Sequence, residues 1–278
     1  MPNRSRKTMP TLNRIRIGLA NKRQAWHLAL TRWLRSRQQW NTRRVGKVCV
    51  YYRICDQGYA KNKAPYITKE HCLSNAIATF PPAEVEWHVV ADNISDATYA
   101  MILKYLPEAV VQRVNVGNGA GTFRMIYEEA LTQPDDTLVY FLEDDYLHLP
   151  NALPLLIEAA EAGCADFMTL YDHPDKYLSD SPNPHVVGCG EQTKVFFTGS
   201  HHWKRTNSTT MTFAAFVPTL RRSKKYFWRW TATTHPYDYH IFNQLRRCAH
   251  RHLISPIPSL STHGDIGTVA LGVDWEQV

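Results

Sequence analysis

Runs of consecutive apolar residues alternate along the first half of the chain with segments whose apolar residues recur every three to four positions. The runs predict buried strands, and the spaced segments predict helices. The predicted strands cover residues 47–55, 85–91, 110–116 and 138–142, and the predicted helices cover residues 69–79, 96–106 and 122–131. Regular alternation of strand and helix is typical of an α/β protein with parallel strands.

The alternation weakens after residue 166. A helix is expected to start near Pro150 and a short buried strand to cover residues 167–170. A region rich in Pro, His and Gly then runs to about residue 204. It is followed by a predicted strand at residues 209–217 and a predicted helix at residues 236–247.

Three successive carboxylates follow the predicted strand at residues 138–142. Glu143, Asp144 and Asp145 repel one another and lose hydration near a core, so they require a cation. Mg²⁺ or Mn²⁺ suits such a site, because these ions accept one or two carboxylates together with phosphate oxygens. The alternative is a solvated acidic turn that caps the helix near Pro150.

Polar and glycine residues follow the other predicted strands at the same edge of the sheet. Residues 117–121 place three glycines between a strand and a helix, where backbone N–H groups could receive phosphate. Gly119 lies in this loop, and Arg124 is a candidate diphosphate contact one turn into the helix. Asp92 ends its own strand and could bind a ribose or a base. A plain turn and a helix N-cap are the alternatives for the loop and for Asp92.

Charge is unevenly distributed along the chain. Residues 1–55 contain 14 Lys and Arg and no Asp or Glu, whereas the remaining residues contain 18 basic and 25 acidic groups. We therefore expect a basic arm, residues 1–46, in which residues 1–17 are disordered, followed by one main domain, residues 47–278. Residues 19–40 are predicted to form a helix with an apolar face of Leu19, Trp26, Leu30, Trp33, Leu34 and Trp40.

Three interpretations of the arm remain open. A Trp and Leu face flanked by Arg32 and Arg35 suits an anionic membrane surface. The same residues could bind nucleic-acid phosphates and stack on bases, or the helix could pack on its own domain.

The remaining composition indicates a globular protein of the cytoplasm. Apolar residues make up 44% of the chain, and the six cysteines show no paired spacing, which favours free thiols in a reducing compartment. No apolar run approaches the roughly 20 residues that span a bilayer, and basic residues interrupt every early apolar stretch that could form a signal peptide.

The order of these features resembles a GT-A fold glycosyltransferase, with family 2 as the nearest likeness. The resemblance covers residues 47–150 and implies a mixed, mostly parallel sheet flanked by helices. It also implies that Glu143, Asp144 and Asp145 occupy the acidic motif that binds Mn²⁺ or Mg²⁺ and the donor diphosphate. Asp145 is then the expected direct metal ligand, Asp92 would hold the nucleoside, and residues 53–56, including Asp56, would contact the base and ribose.

Two features near the C-terminus extend the resemblance. Asp238 opens the predicted helix at the position where the family carries its general base, although His235 or His240 could share this task. His263 is the candidate for an additional metal ligand. For both residues a structural role is the alternative, as a helix N-terminal charge or as a structural histidine.

The resemblance predicts a metal-dependent, inverting transfer of a sugar from a nucleotide-diphosphate donor, with a UDP-sugar the expected donor. The expected acceptor is a hydroxyl of a glycan or lipid-linked glycan at the inner membrane face. The alternatives are a glycosyltransferase that acts on modified bases in DNA and a non-catalytic carbohydrate- or membrane-binding protein. A nucleotidyltransferase is disfavoured, because the chain lacks a basic, Gly-rich first loop.

Overall fold

The computed structural model describes residues 22–23, 25–26, 42–57 and 62–278. The chain divides into two compact units, Met1–Asn41 and Thr42–Val278. In the first unit, Lys22, Arg23, Ala25 and Trp26 are helical and exposed. The rest of the arm helix predicted at residues 19–40, and the segment predicted to be disordered, lie outside the described residues.

The second unit alternates strands and helices as far as α4. Its α-helices are α1 (Lys69–Thr79), α2 (Asp96–Leu103), α3 (Gly119–Ala130), α4 (Ala152–Ala162), α5 (Val217–Trp230) and α6 (Asp238–Ala249). Its strands are β1 (Lys47–Cys55), β2 (Glu86–Asp92), β3 (Val111–Val114), β4 (Thr137–Glu143), β5 (Tyr146–His148), β6 (Phe167–Met168), β7 (Val186–Val187), β8 (Gly190–Glu191), β9 (Val195–Phe197), β10 (His202–Thr206), β11 (Phe213–Phe216), β12 (Leu253–Ile257) and β13 (Ser261–His263).

Local signals fix the helix ends. At the start of α1 the Thr68 hydroxyl accepts a hydrogen bond from the His71 amide at 3.1 Å, and Ser95 does the same for Thr98 at the start of α2. Helix α4 ends at Gly163, whose φ of 64° suits a residue without a side chain.

Nine strands form one mixed sheet in the order β3-β2-β1-β4-β11-β6-β12-β10-β9. Strand β1 pairs in parallel with β2 and with β4, and β2 pairs in parallel with β3. Strand β11 runs antiparallel to β4 and begins the second half of the sheet. The predicted fold class, a mixed sheet flanked by helices, is confirmed. The carboxyl ends of β1 to β4 lie at one edge, where ligands bind in open α/β sheets.

Each face of the sheet carries its own apolar core. Alternate residues of β1 point to opposite faces, so Val50 and Tyr52 pack in the core beneath α1 and α4. Tyr51 packs in the other core, which contains Phe123 of α3 and Phe227 of α5. Full burial on both faces explains why β1 and β4 appear in the sequence as continuous apolar runs.

The second half of the sheet differs from the sequence prediction. The strand predicted at residues 209–217 is shorter, because Thr210 and Met211 adopt positive φ values of 47° and 64° and form a turn before β11. The chain then enters α5, which the sequence analysis did not predict. Pro218 in the first turn of α5 favours a helix start.

Among the described residues, no helix combines the length and apolar character needed to cross a membrane.

Candidate active site

A cavity of about 890 Å³ opens at the carboxyl edge of the parallel strands. The ends of β1, β2 and β4 line one side, and the starts of α3 and α6 line another. Most of the site residues that the sequence predicts lie on its wall: Asp56, Asp92, Gly119, Glu143, Asp144, Asp145, Asp238 and His263.

Strand pairing brings Asp145 and His263 together from distant parts of the chain. Strand β13 pairs antiparallel with β5 so that His263 lies opposite Tyr146, the residue after Asp145. Asp145 Oδ2 consequently lies 3.4 Å from His263 Nε2 and 3.6 Å from Lys63 Nζ. His263 Nδ1 lies 2.8 Å from the Thr268 hydroxyl, which orients the ring and directs Nε2 towards Asp145.

Asp144 adds a second carboxylate beside Asp145. Burial, and next the charge of Asp145, raise the pKa of Asp144 above its usual range, while the Cys55 amide donates a hydrogen bond to Oδ2 at 3.2 Å. The two neighbouring carboxylates therefore concentrate negative charge at this edge. The donor set of Asp145 and His263, with Asp144 alongside, fits a divalent cation.

Glu143, predicted as a metal ligand, is instead paired with a buried arginine. The Arg53 guanidinium forms an ion pair with Glu143 and donates to the Gly119 carbonyl and, at 3.1 Å, to the Thr122 hydroxyl. Arg53 is only 9% exposed. It ties the ends of β1 and β4 to the start of α3. An arginine within an otherwise apolar strand was the sequence signal for such a buried ion pair.

A buried carboxylate binds the start of the glycine loop. Asp92 is 5% exposed and accepts hydrogen bonds from the Val116 amide at 2.7 Å and the Gly117 amide at 2.9 Å. The Ala120 amide binds the Thr234 carbonyl, and the Gly121 amide binds the Asn118 side chain. Protein acceptors therefore bind the Gly117, Ala120 and Gly121 amides, and of the loop's N–H groups the Asn118 and Gly119 amides stay candidates for the predicted phosphate contact. Gly119 itself lies on the cavity wall.

Arg124, the predicted diphosphate contact, is not among the residues that line the cavity. Its guanidinium donates to the Thr231 hydroxyl at 2.9 Å and to the Trp228 carbonyl at 2.8 Å, at the end of α5. The phase of α3 directs this side chain away from the cavity. Arg53, on the neighbouring strand, is the arginine that faces it.

Asp56 lies on the cavity wall, yet its oxygens bind the start of α2. It accepts hydrogen bonds from the Ser95 amide at 2.7 Å and the Thr98 hydroxyl at 2.8 Å. Burial opposes ionisation, but these hydrogen bonds outweigh it and lower the pKa of Asp56. The structure therefore gives Asp56 a capping role.

Asp238 stands at the first turn of α6 and faces the cavity. Its Oδ2 accepts hydrogen bonds from the Ser208 hydroxyl at 3.1 Å and from the Thr209 and Thr210 amides, both at 2.7 Å. Oδ1 accepts one hydrogen bond, from the Tyr239 amide at 2.7 Å. Since each carboxylate oxygen has two lone pairs, Oδ1 retains the capacity to accept a further proton.

The two neighbouring histidines differ in position. His235 lines the cavity beside Asp238. His240 stacks on Trp230 with ring centroids 4.5 Å apart, and it is not part of the cavity wall. Of the two, only His235 is placed to assist Asp238.

A separate group of potential metal ligands lies near the start of β1. Ligand atoms of Cys49, Glu86 and His88 fall within 4.8 Å of one another. Lys47 Nζ, however, lies 2.8 Å from Glu86, and burial raises the pKa of the Cys49 thiol to about 11. A protonated thiol and a neutralised carboxylate make this group a poor metal site.

Several solved structures are similar to the chain at low sequence identity. A galactosyltransferase LgtC in complex with donor and acceptor sugar analogs is 15% identical, with a TM-score of 0.40, and the match covers 71% of this chain and 70% of that one. TarS 1-349 of S. aureus is 16% identical, with a TM-score of 0.45 and coverage of 75% and 57%. A CMP:2-keto-3-deoxy-manno-octonic acid synthetase complexed with CTP is 10% identical, with a TM-score of 0.42 and coverage of 75% and 88%.

Sequence comparison provides the family. No curated protein sequence matches the chain. The sequence model of glycosyl transferase family 2, in contrast, matches residues 59–242, which is more than half of the 278 residues and includes all of the cavity wall from Lys63 to Asp238. The chain therefore belongs to glycosyl transferase family 2 and is a glycosyltransferase with a GT-A fold.

Proposed function

We propose that this glycosyltransferase transfers a sugar from a UDP-sugar to a hydroxyl of a glycan or lipid-linked glycan, with Mn²⁺ or Mg²⁺ bound and with inversion at the anomeric carbon. One observation carries the proposal. Asp144, Asp145 and His263 face the same cavity as Asp238, although they come from three separate parts of the chain. The cavity thus combines a cation site with a candidate base.

Asp145 and His263 would hold the metal ion, and Asp144 would bind the donor. A carboxylate oxygen and an imidazole nitrogen 3.4 Å apart form a donor set that Mn²⁺ accepts more readily than Mg²⁺ does, because imidazole is the softer ligand. When bound, the ion would neutralise the leaving diphosphate as a Lewis acid. Glu143 would keep Arg53 in place instead of binding the metal, since their ion pair already occupies it.

Asp238 would act as the general base. Its Oδ1 would accept the proton of the acceptor hydroxyl as that oxygen attacks the anomeric carbon. The three donors on Oδ2 fix the carboxylate in one orientation. Attack from the side opposite the diphosphate would invert configuration at the anomeric carbon.

Thermal unfolding of the full chain tests the donor site. We would compare UDP, GDP, CDP and CMP, each with Mn²⁺ and each with chelator, in wild type, Asp145→Ala and Asp180→Ala. At a concentration of 100 times Kd, the bound nucleotide should add about 2.7 kcal/mol to the free energy of unfolding. Asp180 is an exposed acid outside the cavity, so its variant should behave like wild type.

A metal-dependent rise of the unfolding midpoint with UDP that is lost in Asp145→Ala supports the proposal. A rise with another nucleotide would identify a different donor base. No rise with any nucleotide would refute the donor site and favour a carbohydrate-binding protein.

We further propose that the enzyme acts in the cytoplasm and that the basic arm, residues 1–46, binds the anionic inner membrane face. The concentration of arginine and tryptophan in residues 19–40 supports this. The test is co-sedimentation of the full chain with anionic or neutral vesicles, in wild type and in the double variant Arg32→Gln, Arg35→Gln. Binding confined to anionic vesicles and weakened in the variant is expected. Retention of duplex DNA but not of vesicles would assign the arm to nucleic acid.

A further inference from the structure

A second cavity of about 890 Å³ lies outside the catalytic one and shares no wall residue with it. Strand β10, helix α6 and the segment between β7 and β9 form its wall. Five basic or titratable nitrogen side chains line it: His185, Lys194, Arg205, Arg246 and His252. Glu191 is the one acidic side chain among its described wall residues.

The cations of this second cavity are close enough to repel one another. Burial, and then the charge of Arg246, lower the pKa of Arg205 and of His185. Burial, Arg205, Lys194 and Arg246 likewise lower the pKa of His252. A cluster of like charges around a concave surface produces a strong positive potential.

Two acids, Asp166 and Glu191, lie near the cluster. Asp166 is already bound to Arg251 at 2.7 Å and to the His252 amide at 3.0 Å. Burial raises the pKa of Glu191. Arg205 Nε is buried and has no hydrogen-bond partner within the part of the chain that the structure describes. The cavity therefore has unused capacity to donate to an anion.

The two arginines are held by their surroundings. The Arg205 guanidinium lies 5.7 Å from the centroid of Phe196, and Arg246 donates to the Asn243 side chain at 3.3 Å. A fixed planar guanidinium can donate two parallel hydrogen bonds to a phosphate or carboxylate with little loss of side-chain entropy.

The second cavity adjoins the segment that holds Asp238. Arg246 follows Asp238 by eight residues on α6, a distance of about 12 Å along the helix. Asn207 lines the second cavity, and the next three residues donate the hydrogen bonds that hold Asp238. A molecule bound in this cavity would therefore lie next to the segment that holds the proposed base.

We propose that the second cavity binds a phosphate or carboxylate group of the acceptor, so that the enzyme extends an anionic glycan. The two groups share the oxyanion chemistry that Arg205 and Arg246 recognise. The assignment to the acceptor rests on the proposed role of Asp238 as the base, whereas anion binding in the cavity does not.

Calorimetric titration of the full chain with four probes tests anion binding: inorganic phosphate, glucose 6-phosphate, glucuronate and glucose. UDP and Mn²⁺ are added in half of the titrations to block the catalytic cavity. The variants are Arg205→Gln and Arg246→Gln, and the matched control is Arg222→Gln, which removes one exposed charge from α5 outside both cavities.

We expect the anionic probes to bind with and without UDP, glucose not to bind, and both cavity variants to weaken binding at least tenfold. Stronger binding of glucose 6-phosphate or of glucuronate identifies the phosphate or the carboxylate as the natural group. The proposal is overturned if glucose binds as tightly as the anionic probes. It is also overturned if Arg222→Gln weakens binding of the anionic probes as much as the cavity variants do.

A transfer assay separates this inference from the proposed function. The assay compares two acceptors that differ only in one anionic group. Arg246→Gln should raise the KM for the anionic acceptor at least tenfold, and it should leave kcat and the KM for the neutral acceptor unchanged. If UDP stabilises the chain but the KM values do not diverge, the acceptor assignment is wrong and the proposed function stands. If no nucleotide raises the unfolding midpoint while phosphate still binds, the proposed function fails and anion binding in the second cavity remains.

Discussion

Replacing His148 with glutamine tests whether the folded protein keeps this buried histidine neutral. His148 lies on β5, is fully buried, and has Nε2 2.8 Å from the Tyr140 hydroxyl. Its backbone amide donates to the Asn75 side chain at 2.8 Å. Burial lowers the pKa of His148 from 6.5 to about 3, so the folded protein keeps this ring neutral.

The sign of the pH effect follows from this shift. Below pH 6.5 the unfolded chain binds a proton at His148, whereas the folded chain does not until about pH 3. The wild-type protein therefore loses stability as the pH falls from 6.5 towards 3, and it keeps this contribution in full above pH 6.5. Compared with pH 8, the loss is about 1.4 kcal/mol at pH 5.5 and about 2.7 kcal/mol at pH 4.5.

Urea unfolding at pH 8, 5.5 and 4.5, followed by tryptophan fluorescence, measures the effect. Other titrating groups are common to both proteins, so the difference in unfolding free energy between wild type and His148→Gln isolates this histidine. We expect this difference in unfolding free energy, taken as wild type minus variant, to fall by about 1.4 kcal/mol at pH 5.5 and by about 2.7 kcal/mol at pH 4.5, relative to pH 8. His202→Gln removes an exposed histidine and serves as the control. A difference between wild type and His148→Gln that does not change with pH would refute the reasoning.

Three further changes probe the catalytic cavity. Arg53→Met should lower the free energy of unfolding by about 3 kcal/mol, because it leaves Glu143 without its partner. In a double-mutant cycle measured by urea unfolding, the variant with both Arg53→Met and Glu143→Gln should lose less stability than the sum of the losses in the two single variants. Asp238→Asn should lower kcat about 100- to 10,000-fold in a transfer assay while UDP still raises the unfolding midpoint; unchanged kcat would exclude it as the base. Gly264→Ala should lower the free energy of unfolding by about 1–3 kcal/mol, as measured by thermal unfolding. The added Cβ would overlap Ile67 and lie 3.1 Å from the Asp145 carbonyl oxygen. A variant as stable as wild type would show that the loop can shift.

Local patterns carried most of the information about the first half of the fold. The apolar runs and the three- to four-residue spacing predicted β1, β2, β4, α1 and α2 to within a few residues. They succeeded because both faces of these strands are buried and because Thr68 and Ser95 supply caps that the sequence displays. The second half was predicted less well, since its strands have two to five residues and cannot show a period.

Site residues at strand ends were predictable, but their partners were not. Asp92, Asp145 and the other strand-end acids reach one cavity because parallel strands end at a common edge. That Asp92 clamps the Gly117 loop, and that Arg53 binds Glu143, depends on which strands are neighbours. Asp92 and Gly117 lie 25 positions apart and Arg53 and Glu143 lie 90 positions apart, so no pattern within a few residues encodes these pairings.

The sequence by itself determined the alternating α/β organisation, the acidic turn after β4 and the basic arm, because each depends on hydrophobicity or charge over a short segment. Only the tertiary structure decided that Arg53 and not Arg124 faces the catalytic cavity, because strand register and helix phase set the direction of each side chain. It alone formed the second cavity, where Arg205 and Arg246 line one wall although they lie 41 positions apart in the sequence. Their shared charge becomes a site only when the fold brings β10 and α6 to the wall of one cavity.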